Sequence, residues 1–312
     1  MPEPCTAVDV TTLSTAEWAH RIGGATHILP FGTPTWTNLG LVADPDLVFT
    51  PLAVGWPGRG ELLVPLCLRA AGAQIGAFGY GMVYPAATWR GGALPPFPTL
   101  AESICRTLGL TEVRTLLPPA DPEPDRWTEA WPATPGRPTY LLDLTDGADA
   151  VWSNAKGRMR TAVRRARSQG LRARTAGSGQ ESRLVELYRH TMGRHGVTPR
   201  HRDADLRFLV DGSAGNALVT VAGDETGVQA AAVFALGPDT AYHVMQTTSD
   251  EGRRTNAGYL ALWEAVTVLA RRGVRLIDLG SAAGCGQERF KADWGGVPRP
   301  TRLVSWPKEP NS

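Results

Sequence analysis

Two arginines, Arg253 and Arg254, stand just ahead of a segment in which Tyr259, Leu262, Trp263, Val266 and Leu269 recur at helical spacing and share one face. Free amides and the dipole at a helix N-terminus attract anions. Arginines beside such a terminus therefore point to a phosphate-bearing substrate. A second basic feature is sharper. From Lys156 through Arg174 the chain carries eight basic residues, Lys156, Arg158, Arg160, Arg164, Arg165, Arg167, Arg172 and Arg174, and no acidic one. Charge runs ordinarily clothe a solvated helix face. Here no Asp or Glu is at hand for i,i+4 pairing, and like charges repel. Phosphates would remove that repulsion and release counterions.

Titratable groups in apolar strands are the next candidates. Asp278 stands between Ile277 and Leu279 in the strand Val274–Leu279, and a buried carboxylate needs a partner. It either anchors Lys291 or a loop amide, or does acid–base work itself. Tyr242 and His243 lie on one strand, so alternation sends one to each face. The ordinary pKa of histidine suits a general base; a packed core histidine is the plainer reading of His243. His190, His195 and His201 have no carboxylate or cysteine at ligand spacing, so no metal site is expected. Cys285 stands between glycines and could hold an acyl group as a thioester, but no histidine adjoins it in sequence.

The elements that must position these residues can be read in order. Ser14 to Arg21 predicts a short helix, with Ser14 and Glu17 as a capping box. Phe31–Asn38 reads as a loop with an exposed Trp36. Glu61–Leu68 reads as a strand in which Pro65 implies an edge or a bulge. A helix around Leu100–Leu108 ends at Gly109, and Glu112–Leu117 resumes as a strand. In the second half, Asn216–Ala222 and Val228–Leu236 form a hairpin by their turn residues. Thr240–Thr247 is a third strand, followed by the arginine turn, the long helix, Gly273 and the strand Val274–Leu279, with a loop rich in Gly and Ala leading to Phe290 and Lys291. Trp152–Gln169 reads as one basic helix capped by Ser153 or Asn154. The order strand, turn, strand, loop, helix, glycine, strand thus occurs twice, which predicts two related α/β units in tandem. Between them, Pro118–Pro138 holds seven prolines and reads as a linker. The expected division is 1–135 with its linker 118–138, then 139–312, where Thr139–Leu144 opens the second unit as a strand.

Composition bounds the partners. A chain of 312 residues buries a sizeable core, and a net charge of +2 by itself predicts no nucleic-acid partner. Four cysteines at 5, 67, 105 and 285 show no paired spacing, so neither a disulfide framework nor a zinc knuckle is indicated. The N-terminus lacks a secretory pattern and no apolar run is long enough to span a bilayer, so a cytoplasmic protein with no membrane association is expected.

Three runs together, Thr139–Arg174, Leu187–Pro199 and Leu260–Gly296, resemble the FemAB/FemX-like branch of the GNAT acyltransferase superfamily, and Ala16–Trp36 and Glu61–Pro85 are similar to that family's first half. The resemblance implies an α/β (α+β) fold of tandem GNAT-like units, each a mixed, mainly antiparallel sheet flanked by helices. It implies transfer of an aminoacyl group from aminoacyl-tRNA to an amine, with no resident cofactor. Lys291 falls at the family's Phe/Tyr-Lys position after the last core strand, where a lysine stabilises the oxyanion, with Phe290 and Tyr242 beside the substrate. Trp36, Asn38, Tyr80 and Tyr84 fall where the family places its acceptor pocket; plain packing is the other reading. Lys156, Arg158, Arg160, Arg164, Arg165, Arg253 and Arg254 would hold tRNA phosphates. No heptads for the coiled-coil arm of peptidoglycan-bridge enzymes are present, which favours a small-molecule acceptor in natural-product biosynthesis, and a monomer. An acetyl-coenzyme A enzyme of this superfamily has R/Q-x-x-G-x-G/A at its core helix; from Arg253 this chain reads R-x-x-N-x-G. A side chain at Asn256 would crowd a pyrophosphate, so acyl-coenzyme A ranks second as donor. Two further readings stay open, a peptidoglycan-precursor aminoacyltransferase and a catalytically silent protein that binds an acidic partner.

Overall fold

The computed structural model describes residues 8–25, 28–43, 46–69, 72–76, 80–90, 94–119, 131–199, 201–210, 215–282 and 284–307. It divides into two units, Met1–Arg137 with Pro300–Ser312, and Pro138–Arg299. The last residues therefore group with the first unit, whereas the sequence reading assigns all of 139–312 to the second.

The first unit opens with strand β1 (Asp9–Thr12) and helix α1 (Thr15–Ile22). Ser14 Oγ accepts from Glu17 N and the Glu17 carboxylate accepts from Ser14 N at 2.8 Å, which is the capping box the sequence predicts. Residues 30–43 are not the expected loop: a single 3-10 turn leads into helix α2 (Pro34–Ala43). Proline is at home in a first helical turn, where its missing N–H has no partner anyway. Then come β2 (Val48–Phe49), β3 (Leu52–Trp56), β4 (Gly60–Val64), β5 (Leu66–Arg69), β6 (Gly72–Ile75) and β7 (Tyr84–Pro85). The run Glu61–Leu68 is thus two strands. Pro65 cannot donate to a ladder, and it stands where the chain leaves the β1-β3-β4-β7 sheet for a second sheet. Helix α3 (Phe97–Leu108) ends at Gly109 in the left-handed conformation (φ 68°) and leads to β8 (Glu112–Leu117), which pairs parallel with β6. Much of the proline-rich linker lies outside the described residues. Its Trp131 is buried against Phe97, with ring centroids 4.8 Å apart.

The second unit begins within strand β9 (Thr134–Asp143), which starts inside the proline-rich segment, not after it. Helices α4 (Gly147–Asn154) and α5 (Gly157–Ser168) follow, so the basic helix is two helices broken at Ala155–Lys156, and neither Ser153 nor Asn154 caps the second. Strand β10 (Arg172–Thr175), helices α6 (Glu181–Arg194) and α7 (Asp203–Val210), and strands β11 (Ala217–Asp224), β12 (Gly227–Leu236) and β13 (Thr240–Thr248) come next. The short α8 (Asp250–Arg254) precedes α9 (Ala257–Arg271), β14 (Leu276–Ser281) and α10 (Cys285–Asp293). The sheet order is β10-β11-β12-β13-β14-β9, antiparallel except for the β13–β14 pair. Alanines 230 and 232 of β12 and Ala257, Ala261 and Ala265 of α9 are fully buried in one cluster, and their small side chains let the helix lie close on the sheet. Leu262, Val266 and Leu269 fill that cluster, each stabilising by about 1.5–3 kcal/mol through burial. Strand β15 (Val297–Trp306) returns to the first unit, where Arg302 to Trp306 pair antiparallel with β8.

Candidate functional site

The parallel register of β13 and β14 runs Thr240↔Leu276, Ala241↔Ile277 and Tyr242↔Asp278, and the ladder ends there. Just past that point β13 has a bulge: Phe234 faces His243 while Val233 faces Met245. Bulges re-aim side chains and often border sites. Beyond the last pair the strands form a fork, and the titratable residues that the sequence singles out meet in it.

Asp278 is buried, and its Oδ1 accepts from the Gly280 amide at 2.7 Å and from the Thr139 hydroxyl. Gly280 adopts φ 77°, which glycine takes without strain. The turn aims two carbonyls at Lys291, whose Nζ donates to Gly280 O at 2.8 Å and to Ser281 O at 2.6 Å. Lys291 sits on α10, not on a loop, and is 9% exposed. Burial holds its ammonium down to about 8, and the Asp278 charge acts in the opposite direction. His243 packs on Phe234, with ring centroids 4.9 Å apart, and its Nε2 is buried with no hydrogen-bond partner among the described residues. Burial first and the Lys291 charge second push this imidazole down to about 4, so it is neutral at physiological pH. Tyr242 is buried, and Phe290 packs edge-on against Tyr259 at 5.1 Å within an aromatic group completed by Trp294. Cys285 is exposed at the first turn of α10.

Thr139 and Gly280 belong to this arrangement, and sequence reasoning misses both. Asp278 two residues before a glycine is an Asx-turn signal that could have found Gly280. Thr139 has no local signal, because its role depends on the pairing of β9 with β14.

The basic residues separate into two groups. Arg160 Nη1 donates to the carbonyls of Trp152 at 3.2 Å, Ser153 at 3.1 Å and Ala155, which caps the C-terminal end of α4. Arg158 is ion-paired with Asp293, and Arg254 with Glu251. These three have partners within the protein and give less to an external phosphate than their sequence positions suggest. Arg164 is exposed and lies over the Trp152 ring at 5.4 Å. Lys156, Arg165, Arg167, Arg172, Arg174 and Arg253 are exposed as well, and among the described residues no carboxylate pairs with them or with Arg164. Asn256 takes the left-handed conformation (φ 62°), which asparagine tolerates better than most residues. The backbone at the head of α9 therefore has the path that a glycine would give.

In the first unit Trp36 is 1% exposed, contrary to the reading of an exposed residue, and Tyr84 and Tyr80 are buried with it. Phe31 stacks edge-on against Trp36 at 6.2 Å and Tyr80 at 6.4 Å, so these aromatics are core. Asn38 is exposed on α2. Among the described residues no group of three His, Cys, Asp or Glu could hold a metal, and no helix is long and apolar enough to cross a membrane.

Comparison with known proteins bears on the whole arrangement. The acetyltransferase (GNAT) domain family matches residues 153–292, a span that includes α5, His243, Asp278 and Lys291. No curated protein matches the sequence. Among solved structures, FemX is similar at 11% identity and a TM-score of 0.63, over 96% of this chain and 97% of that one. The L-PGS from Bacillus licheniformis aligns at 11% identity and 0.61, over 96% and 93%. The C-terminal domain of a putative lysylphosphatidylglycerol synthetase from Agrobacterium fabrum aligns at 14% identity and 0.61, over 94% and 92%. Identities this low speak to the fold. The chain has the fold of these structures, and its residues 153–292 match the acetyltransferase (GNAT) domain family.

Proposed function

We propose that this protein is an aminoacyltransferase that moves an aminoacyl group from aminoacyl-tRNA to the amine of a small-molecule acceptor, as a cytoplasmic monomer in natural-product biosynthesis. The amine nitrogen bonds to the ester carbonyl carbon, the bond to the tRNA ribose oxygen breaks, and the proton lost by nitrogen leaves with that oxygen. The ester is already activated, so the chain has to supply position and charge, not a nucleophile. An ammonium has three N–H groups. Two of those on Lys291 are taken by Gly280 and Ser281, which leaves one for the developing oxyanion. Neutral His243 can receive the proton on Nε2, which has no hydrogen-bond partner among the described residues.

The observation that carries the tRNA donor is the row of exposed arginines, Arg164, Arg165, Arg167, Arg172 and Arg174, without carboxylate partners among the described residues. The test is a coupled assay with synthetase, tRNA and amino acid. Product formation is expected to disappear on RNase treatment; activity that survives RNase with acyl-coenzyme A supplied overturns the donor. Arg164→Glu with Arg165→Glu is expected to weaken tRNA binding and flatten its salt dependence. An unchanged salt slope excludes α5 from docking. Acyl-coenzyme A as donor keeps one point in its favour, the left-handed Asn256 that preserves the backbone path at the head of α9.

A further inference from the structure

Arg158 stands in the first turn of α5, where the helix dipole disfavours a cation, and that turn holds no acidic residue of its own. Its partners lie on another helix. Arg158 Nε is ion-paired with the Asp293 carboxylate, and its Nη2 donates to Arg289 O at 3.3 Å, both on α10. The main chain repeats the tie, since Lys156 N donates to Asp293 O at 2.8 Å. Asp293 is 5% exposed, and a carboxylate that deep needs its guanidinium. The rest of α10 has little hold on the protein: residues 285–289 are exposed, and its buried positions are Lys291 and Asp293. Two steps along a helix turn a side chain by about 200°, so these two leave the last turn on opposite sides. On one side α5 grips Asp293. On the other, Gly280 O and Ser281 O of β14 accept from Lys291 Nζ at 2.8 and 2.6 Å.

We infer that Arg158 is a positioning residue for Lys291: it locks the last turn of α10 against α5 and so fixes where the ammonium stands between the two β14 carbonyls. The inference rests on the role given to Lys291 above and adds a residue that acts through it. It also takes Arg158 out of the row that would meet phosphates, because a guanidinium that left Asp293 would strand a buried charge. The helix that carries Arg164 and Arg165 and the helix that carries Lys291 are joined by this clamp.

The test reads Lys291 without a donor. Lysine occurs three times in the chain, at 156, 291 and 308, so NMR of the full-length protein isotopically labelled at lysine Cε gives few signals. Those of Lys291 are the ones lost in Lys291→Met. In Arg158→Met they are expected to move toward the shift of a freely rotating lysine side chain. That variant leaves Asp293 unpaired and could fail to fold. Arg158→Met combined with Asp293→Asn removes both charges and is expected to give the same movement. Val163→Ala, a core truncation in the same helix, is expected to leave the Lys291 signals in place. Signals that stay put without the clamp overturn the inference, as does an equal movement in Val163→Ala. In the coupled assay Arg158→Met should lower kcat by roughly tenfold to a hundredfold through misplacement, with the donor KM close to normal. A raised KM with kcat unchanged would make Arg158 a phosphate contact and overturn the inference as well. A failed RNase assay would change the donor and leave these spectra intact, so the two claims fail separately.

Discussion

Each unit builds a parallel strand pair bridged by a helix and a left-handed glycine: β6, α3, Gly109 and β8 in one, β13, α9, Gly273 and β14 in the other. The ends of the two pairs are filled in different ways. In the first unit the backbone of Gly81 closes the end: its N–H donates to Leu116 O at 3.1 Å and its carbonyl accepts from Thr115 Oγ1 at 2.7 Å. A Cβ at Gly81 would stand 1.6 Å from Ile75 O, so nothing larger than glycine fits. In the second unit the end is occupied by Lys291, Asp278 and His243; Lys291 Nζ makes two hydrogen bonds, and among the described residues His243 Nε2 has no hydrogen-bond partner. A fork closed by main chain satisfies its own polar groups and has nothing left for a ligand. The same architecture filled by side chains becomes a place where chemistry can happen.

The contrast breaks most easily at Lys291. Lys291→Ala is expected to lower turnover on the order of 10²–10³-fold, the usual cost of losing one oxyanion donor, with donor binding close to normal. Turnover that survives would remove Lys291 from the reaction. Gly81→Ala is expected to act on stability alone. Overpacking of this kind costs about 1–3 kcal/mol, so the melting temperature should fall while turnover per folded molecule holds. A melting temperature that does not move would count against the backbone plug.

The pH dependence sharpens the same comparison. Lys291 is charged below about 8, so activity should fall as pH rises through that value, and Lys291→Arg should carry the limb upward if it retains turnover. His243 is held down to about 4 from an ordinary value of 6.5. Between those values the unfolded chain binds the proton and the folded chain does not, so stability is lost as pH falls through that window. Urea midpoints measured across it should decline, and His243→Gln should flatten the decline. A midpoint with the same slope in both proteins would mean that the imidazole is not held neutral.

The parts of this site that are legible in the sequence are those fixed by local pattern. The capping box at Ser14, the apolar face of α9, the β11–β12 hairpin and the glycines after α3 and α9 each follow from a few neighbouring residues. Asp278, His243 and Lys291 stand out as titratable groups in or near apolar strands. What stays hidden depends on distant pairing. Trp36 looks exposed between polar neighbours, but α2 and Phe31 bury it. Arg160 and Arg158 look like free cations because their partners, the carbonyl end of α4 and Asp293, become neighbours only when α4 breaks at Ala155 and α10 folds. The return of β15 to the first unit is likewise invisible to a reading that assigns residues by chain order.

The smallest expected effect is the one that separates the two donors. Asn256 has φ 62° and ψ 27° at the head of α9. Asn256→Ala places an ordinary Cβ in the left-handed region and should cost about 1 kcal/mol, read as a lower urea midpoint. Asn256→Gly keeps the conformation and should shift stability by less than that, while removing the only side-chain difference from glycine at the head of α9. If the donor is aminoacyl-tRNA, the glycine variant should bind coenzyme A no better than the parent in calorimetric titration. A clear gain in coenzyme A affinity would instead mean that the amides at the head of α9 form a pyrophosphate seat partly covered by one asparagine, and the donor would have to be reassigned.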